Sequence, residues 1–139
     1  MHWSDIVIRL AVAAAAGAVM GIEFELRERP GGLRTHLLST FGAALFCVVA
    51  SRVAGGSPEA LRAVQGIVSG IGFIGAATVL RLDGTVKGVA TAASIWVSAA
   101  IGCAAGFGEW VLALVLAPLV ALVNVATLRI EQKWFSKKS

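Results

Sequence analysis

The sequence predicts an all-α fold, a polytopic membrane bundle of five transmembrane helices. Two observations predict it: 58% of the 139 residues are hydrophobic against 14% charged, and the apolar residues form five nearly charge-free stretches. Each stretch approaches the ~20 residues that a helix needs to cross a ~30 Å hydrocarbon layer. The predicted spans cover residues 6–22, 37–54, 64–80, 89–107 and 110–128. We expect a single transmembrane domain over residues 1–139, with a short basic tail at 129–139.

The positions of the basic residues predict the orientation of the chain. A net charge of +4 could suit nucleic acid, but the Lys and Arg residues lie at span ends, which indicates contact with a lipid bilayer and no nucleic-acid partner. With the N-terminus outside and the C-terminus in the cytoplasm, nine Lys and Arg residues lie inside and two outside. This orientation requires an odd number of spans.

The first span carries the most deeply placed charge, Arg9. Asp5 precedes it by one helical turn, so we expect a local ion pair with the arginine reaching toward the outer face, in preference to an ion path. A cleaved signal peptide is the rival interpretation, because Ala11–Ala16 offers small-residue cleavage patterns. It is disfavoured, since residues 1–5 contain no Lys or Arg.

Glycines predict the contact faces of the helices, because membrane helices associate where their backbones approach closely. Spans one, three and four each carry a G-x-x-x-G spacing, which puts two glycines on one helix face. Local unwinding, as in broken-helix transporters, is the alternative for span three. We expect tight packing, and a homo-oligomer, a dimer by preference, through one such face. The predicted packing residues are Gly17, Gly21, Gly66, Gly70, Gly72, Gly75, Gly102 and Gly106.

Prolines and polar residues give two local expectations. Ser57-Pro58-Glu59 offers an N-cap, a proline at the first helical position and an acid in the first turn, so the third helix is expected to begin there. Pro118 lies inside span five and predicts a kink, while Asn124 on the same span should find a partner on another helix.

A mixed-charge segment follows the first span and is the strongest candidate for a site. It fits either a generic charged turn or a binding site, in which carboxylates could supply oxygen ligands to Mg²⁺, with Glu23 as a candidate ligand. No other cofactor is expected. The candidate cytoplasmic-face cluster consists of Glu23, Arg27, Arg34, Thr35, His36 and Thr91.

Span four adds hydroxyls, because Thr91, Ser94 and Ser98 are spaced to share one helix face. They suit either hydrogen bonds between helices or the lining of a shallow cytoplasmic cavity. Trp96, near the middle of this span, is expected to point into the bundle.

Enzyme chemistry is disfavoured by the sequence. His2 and His36 are the two histidines, and both are predicted at surfaces on opposite sides of the membrane, away from any buried serine. Phosphate-binding loops and clustered metal ligands are missing from the sequence. Cys47 and Cys103 are interpreted as small buried hydrophobes.

Three motifs in order resemble the MgtC/SapB family of bacterial inner-membrane proteins, specifically its N-terminal transmembrane domain. They are residues 21–23 with 29–36, residues 69–76, and residues 88–96 with Gly102 after them. The resemblance covers nearly the whole chain. It does not include the C-terminal cytoplasmic domain that many members have, so sensing by that domain is not expected to carry over.

The resemblance implies a five-helix domain of the bacterial inner (plasma) membrane, linked to magnesium limitation or stress adaptation. It implies a regulator that binds itself or another membrane protein complex, with transport of magnesium, another cation or protons as the alternative. One position departs from the family pattern, because Phe24 stands where members carry an arginine after the residue that matches Glu23. That departure weakens an ion-pair cluster at this point.

Overall fold

The computed structural model describes residues 1–55, 57–82 and 85–135 and confirms an all-α helical bundle. Five α-helices form it, joined by a short 3₁₀ helix and a small antiparallel hairpin in which Leu80 pairs with Lys87. The elements are α1 (Trp3–Leu26), α2 (Leu33–Val53), the 3₁₀ helix (Pro58–Ala60), α3 (Leu61–Ala76), β1 (Leu80–Leu82), β2 (Thr85–Lys87), α4 (Val89–Phe107) and α5 (Trp110–Phe135).

Four of the helices, α1, α2, α4 and α5, are long and apolar enough to cross a membrane. The fifth, α3, has 16 residues and is therefore about 24 Å long at 1.5 Å per residue. The third span was predicted to reach residue 80, but α3 ends at Ala76 because the chain turns there into the hairpin. Helix α5 continues through Pro118 to Phe135. The described part of the predicted basic tail, residues 129–135, is therefore helical.

The helices alternate in direction, as contacts at the two ends of the bundle show. At one end Arg52, in the last turn of α2, stacks 5.0 Å from the ring of Trp3, and Arg9 reaches the Gly106 carbonyl near the end of α4. At the other end the α1–α2 loop lies on the first turn of α4, where a Cβ on Gly31 would be 2.7 Å from Thr91. The termini of the described chain therefore lie at opposite ends. Which end faces the cytoplasm stays a prediction.

The core is built around α4, which contacts all four other helices. Its small residues let α2 approach closely: a Cβ on Gly106 would lie 2.5 Å from the Ala44 carbonyl, and one on Gly102 would overlap the Thr40 carbonyl. Gly17 and Gly21 serve α1 in the same way, because a Cβ at either position would come within 3 Å of the α2 backbone. Helices α1, α2 and α4 are thus held at backbone contact distance.

Helix α3 uses its glycines differently from the prediction. A Cβ on Gly75 would lie 3.4 Å from Ala92 of α4, whereas one on Gly66, Gly70 or Gly72 would meet no described atom within 4 Å. The expected contact of these three glycines with neighbouring helices is wrong within the described chain. The reason is that α3 meets the bundle through the face that carries Ile71 and Gly75, its two buried residues.

The expectation for Trp96 is also wrong, since its side chain is 47% exposed on the outside of α4. The hydroxyl residues of α4 are buried instead, and Trp96 lies on the opposite face of the helix.

Candidate functional site

A buried line of polar side chains, here called the polar seam, runs along α4 at the end of the bundle where that helix begins. Thr91, Ser94 and Ser98 share one face of α4 at helical spacing, and all three are buried. Each of the two serines bonds a side chain on a different helix. The polar seam consists of Thr91, Ser94, Ser98, His36 and Asn124.

His36 lies inside the bundle, where its Nδ1 shares a 2.7 Å hydrogen bond with Ser98 Oγ. It is fully buried, so the prediction of a surface histidine away from buried serines is wrong. The cause is the close approach of α1 and α2 at Gly21, which encloses the first turn of α2. The Phe24 ring lies tilted against the imidazole, with the two ring centroids 4.7 Å apart. Thr40 donates to the His36 carbonyl at 2.8 Å.

Asn124 extends the seam to α5 by donating from Nδ2 to Ser94 Oγ at 3.2 Å. This contact confirms the expected partner on another helix. The hydroxyls of α4 therefore act first as hydrogen-bonding groups between helices, which is one of the two uses that their spacing allows.

Two buried polar atoms at this end have no hydrogen-bond partner among the described residues: Oε2 of Glu23 and Nε2 of His36. The other carboxylate oxygen of Glu23 is paired with Arg27 at 3.3 Å, one helical turn away. Leaving buried polar atoms unpaired is costly, so these two are the chemically notable groups of the site.

The α1–α2 loop closes over the seam with an unusual backbone. Gly31 has φ +76° and lies on the Thr91 methyl group, while Glu28 is the one described non-glycine residue with positive φ, at 53°. Glu25 accepts a 3.0 Å hydrogen bond from Leu33 N and so caps the first turn of α2 from the neighbouring helix. Sequence reasoning missed this role, although a carboxylate shortly before a Gly-Gly helix start is a usable signal.

The six residues of the predicted cluster are divided by the structure. His36 and Thr91 are buried, and the Glu23 side chain is 12% exposed. Arg27 and Arg34 are exposed and Thr35 is half-buried. Within residues 1–55, 57–82 and 85–135, no group of three His, Cys, Asp or Glu residues could hold a metal ion.

The far end of the bundle has a separate ionic contact. Arg9 pairs with Asp5 at 3.1 Å and donates from Nη1 to the Gly106 carbonyl at 2.9 Å. The predicted local pair is confirmed, and the added bond ties α1 to the C-terminal turn of α4, where a positive charge is favourable.

Comparisons with known proteins support the resemblance seen in the sequence. Protein SrpB of Synechococcus elongatus is 37% identical over 81% of this chain and 69% of its own length. Protein MgtC of Salmonella typhimurium is 38% identical over 86% of this chain and 51% of its own length. An uncharacterized protein of Synechocystis sp., slr0014, is 40% identical over 91% of this chain and 53% of its own length. No solved structure matches the chain.

The chain thus spans about half the length of two of these relatives. Its residues 10–133 match the MgtC family. With four helices able to cross a membrane and a family match over nearly its whole length, this chain is a multi-pass membrane protein that belongs to the MgtC family.

Proposed function

We propose that this protein acts in the bacterial inner membrane as a non-enzymatic binding partner of other membrane proteins, in adaptation to magnesium limitation or related stress. The link to magnesium comes from the family resemblance. The binding role rests on how the molecule distributes its polar groups between its interior and its surface.

Inside the bundle, hydroxyl, imidazole and amide groups bond one another across α2, α4 and α5, which holds the helices in one arrangement. On the surface, Gln65 and Ser69 are exposed on the face of α3 turned away from the bundle. Polar side chains at membrane depth favour contact with protein over contact with lipid. This exposed polar face is the observation that carries the proposal.

A second candidate function is the movement of a cation or proton, because Glu23 Oε2 and His36 Nε2 are buried and unpaired among the described residues. Ionisable groups of this kind inside a membrane mark ion paths in other proteins. In this candidate, Glu23 would carry the charge and His36 would exchange a proton.

One preparation tests both functions: purified protein in liposomes that enclose a Mg²⁺ indicator, with a pH indicator in a parallel sample. We expect no flux above that of protein-free liposomes. Protein-dependent flux that Glu23→Gln abolishes and the exposed control Glu131→Gln retains would overturn the binding role as the main function and establish transport.

A further inference from the structure

A groove of about 530 Å³ separates α2 from α3 on the outside of the bundle. It exists because three of the residues that line it, Gly42, Gly66 and Gly70, have no side chain, and a Cβ on any of them would meet no described atom within 4 Å. Among the lining residues, Ser39 is the one with a polar side chain. The groove is therefore suited to hydrocarbon and not to water.

The dimensions of the groove fit a single acyl chain. Its lining runs from Leu38 to Phe46 on α2 and from Ala63 to Ile74 on α3, which is about 12 and 16 Å at 1.5 Å per residue. One leaflet of a ~30 Å hydrocarbon layer has a similar depth of about 15 Å. A helix of another protein is about 10–12 Å across and would fill roughly 1,000 Å³ over this length. The groove is too small to admit such a helix.

The groove leads to an arginine at the end of the bundle where α2 begins. Leu38 lines both the groove and a second depression, which Arg34 and Glu25 also line. Arg34 lies one helical turn before Leu38, so the two residues share a face of α2. Side chains on a helix lean toward its N-terminus, which for the exposed Arg34 is the direction of the membrane surface. The guanidinium thus belongs at the depth of the headgroup of a lipid whose acyl chain occupies the groove.

The charges at this end of the bundle favour an anionic headgroup. Among the described residues, Arg34 takes part in no ion pair and no side-chain hydrogen bond. The neighbouring Glu25 carboxylate already accepts a hydrogen bond from Leu33 N. Lys87 and Lys133 are exposed at the same end, which the distribution of basic residues predicts in the cytoplasm. The cytoplasmic leaflet is the one that carries a negative surface potential.

We propose that this groove binds one anionic phospholipid, with an acyl chain between α2 and α3 and the phosphate on Arg34. A guanidinium donates two parallel hydrogen bonds to a phosphate, which fixes the headgroup, while the three glycines leave room for the chain. Helix α3 packs more extensively on α4 than on α2, and the lipid fills the space that this leaves. The inference goes beyond the proposed function, because it depends neither on a protein partner nor on the liposome flux.

Native mass spectrometry of the protein in detergent micelles tests the headgroup contact. In titrations with phosphatidylglycerol and phosphatidylcholine of identical acyl chains, one phosphatidylglycerol per chain should bind, about tenfold more tightly than phosphatidylcholine. Arg34→Gln should abolish this preference, and Lys133→Gln, which removes an exposed charge from the same end, should keep it. Equal affinity of the parent protein for the two lipids, or an unchanged preference in Arg34→Gln, overturns the proposal.

A matched pair of glycine variants tests the acyl-chain contact in the same titrations. A Cβ on Gly70 or on Gly72 would meet no described atom within 4 Å, but only Gly70 lines the groove. Gly70→Leu puts a side chain where the acyl chain should lie and should weaken the binding of both lipids about tenfold. Gly72→Leu should leave both affinities unchanged. Equal affinities of the two variants would show that the lipid lies elsewhere.

Photocrosslinking in native membranes identifies the occupant without any change to the glycines. Phe46 lines the groove and is 65% exposed, and Leu122 on α5 is 64% exposed and serves as the control. Each is replaced in turn by p-benzoylphenylalanine, and the adducts are identified by mass. The lipid adducts at Phe46 should be enriched in phosphatidylglycerol relative to those at Leu122. The same lipid composition at both positions, or an adduct of Phe46 with a polypeptide in place of a lipid, contradicts the proposal.

Discussion

At the scale of single residues, the clearest lesson is the position of His36. Its sequence neighbours are polar, Arg34 and Thr35, and they predict a surface turn. The side chain is buried because Gly21 brings α1 against the first turn of α2, an effect of tertiary packing that local pattern does not carry. The pairing of Asp5 with Arg9, by contrast, follows from one-turn spacing alone and could be predicted.

The bond between His36 and Ser98 should be measurable as stability. His36→Phe keeps a ring of similar size but leaves the buried Ser98 hydroxyl unpaired, so we expect a loss of about 1–3 kcal/mol. Thermal unfolding in detergent micelles measures it. In a double-mutant cycle with Ser98→Ala, the two losses should add to more than the loss of the double variant; simple additivity would contradict the shared bond.

At the scale of helices, sequence predicts which segments are helical better than it predicts which faces are used. Three G-x-x-x-G pairs have the same sequence pattern. The backbone of α2 packs against two of them, on α1 and α4, whereas no described atom packs against the pair on α3. The G-x-x-x-G pattern indicates only that a second helix backbone can approach this face closely. The partner is decided by the arrangement of the whole bundle, which places α4 between α2 and α5 and leaves α3 at the edge.

This difference predicts unequal effects of one chemical change. Gly102→Ala puts a methyl group onto the Thr40 carbonyl and should destabilise the fold by about 1–3 kcal/mol through overpacking. Gly66→Ala, in the same kind of motif, meets open space and should leave stability unchanged or raise it by up to about 1 kcal/mol, because alanine is the better helix former. Unfolding midpoints in one detergent compare them, and equal losses would show that the α2–α4 contact is not as close as described.

At the scale of the whole molecule, the bundle and its membrane nature follow from composition and span length, and both are confirmed. The candidate site was only partly predictable. Thr91 and His36 were selected for their polarity, but Ser98 and Asn124 join them in the polar seam only when α2 and α5 pack on α4. Residues that are distant in the chain meet through helix packing, which no single segment encodes.

The topology can be tested with reporter fusions at Met1 and Ser139. Five helices of alternating direction place the described termini at opposite ends of the bundle, and the distribution of basic residues predicts the C-terminal end in the cytoplasm. Alkaline phosphatase should therefore be active at Met1 and a cytoplasmic fluorescent protein at Ser139. Activity of the same reporter at both positions would contradict an odd number of crossings.

The central position of α4 also bears on how the chain is made. During synthesis α1 and α2 leave the ribosome first and can pair through Gly17 and Gly21, long before Ser98 has been translated. Until α4 inserts, the imidazole of His36 lacks its hydroxyl partner, Ser98. An unfinished or stalled product therefore leaves the imidazole Nδ1 without the Ser98 partner that it has in the mature protein, and an unpaired polar group of this kind is costly in a bilayer.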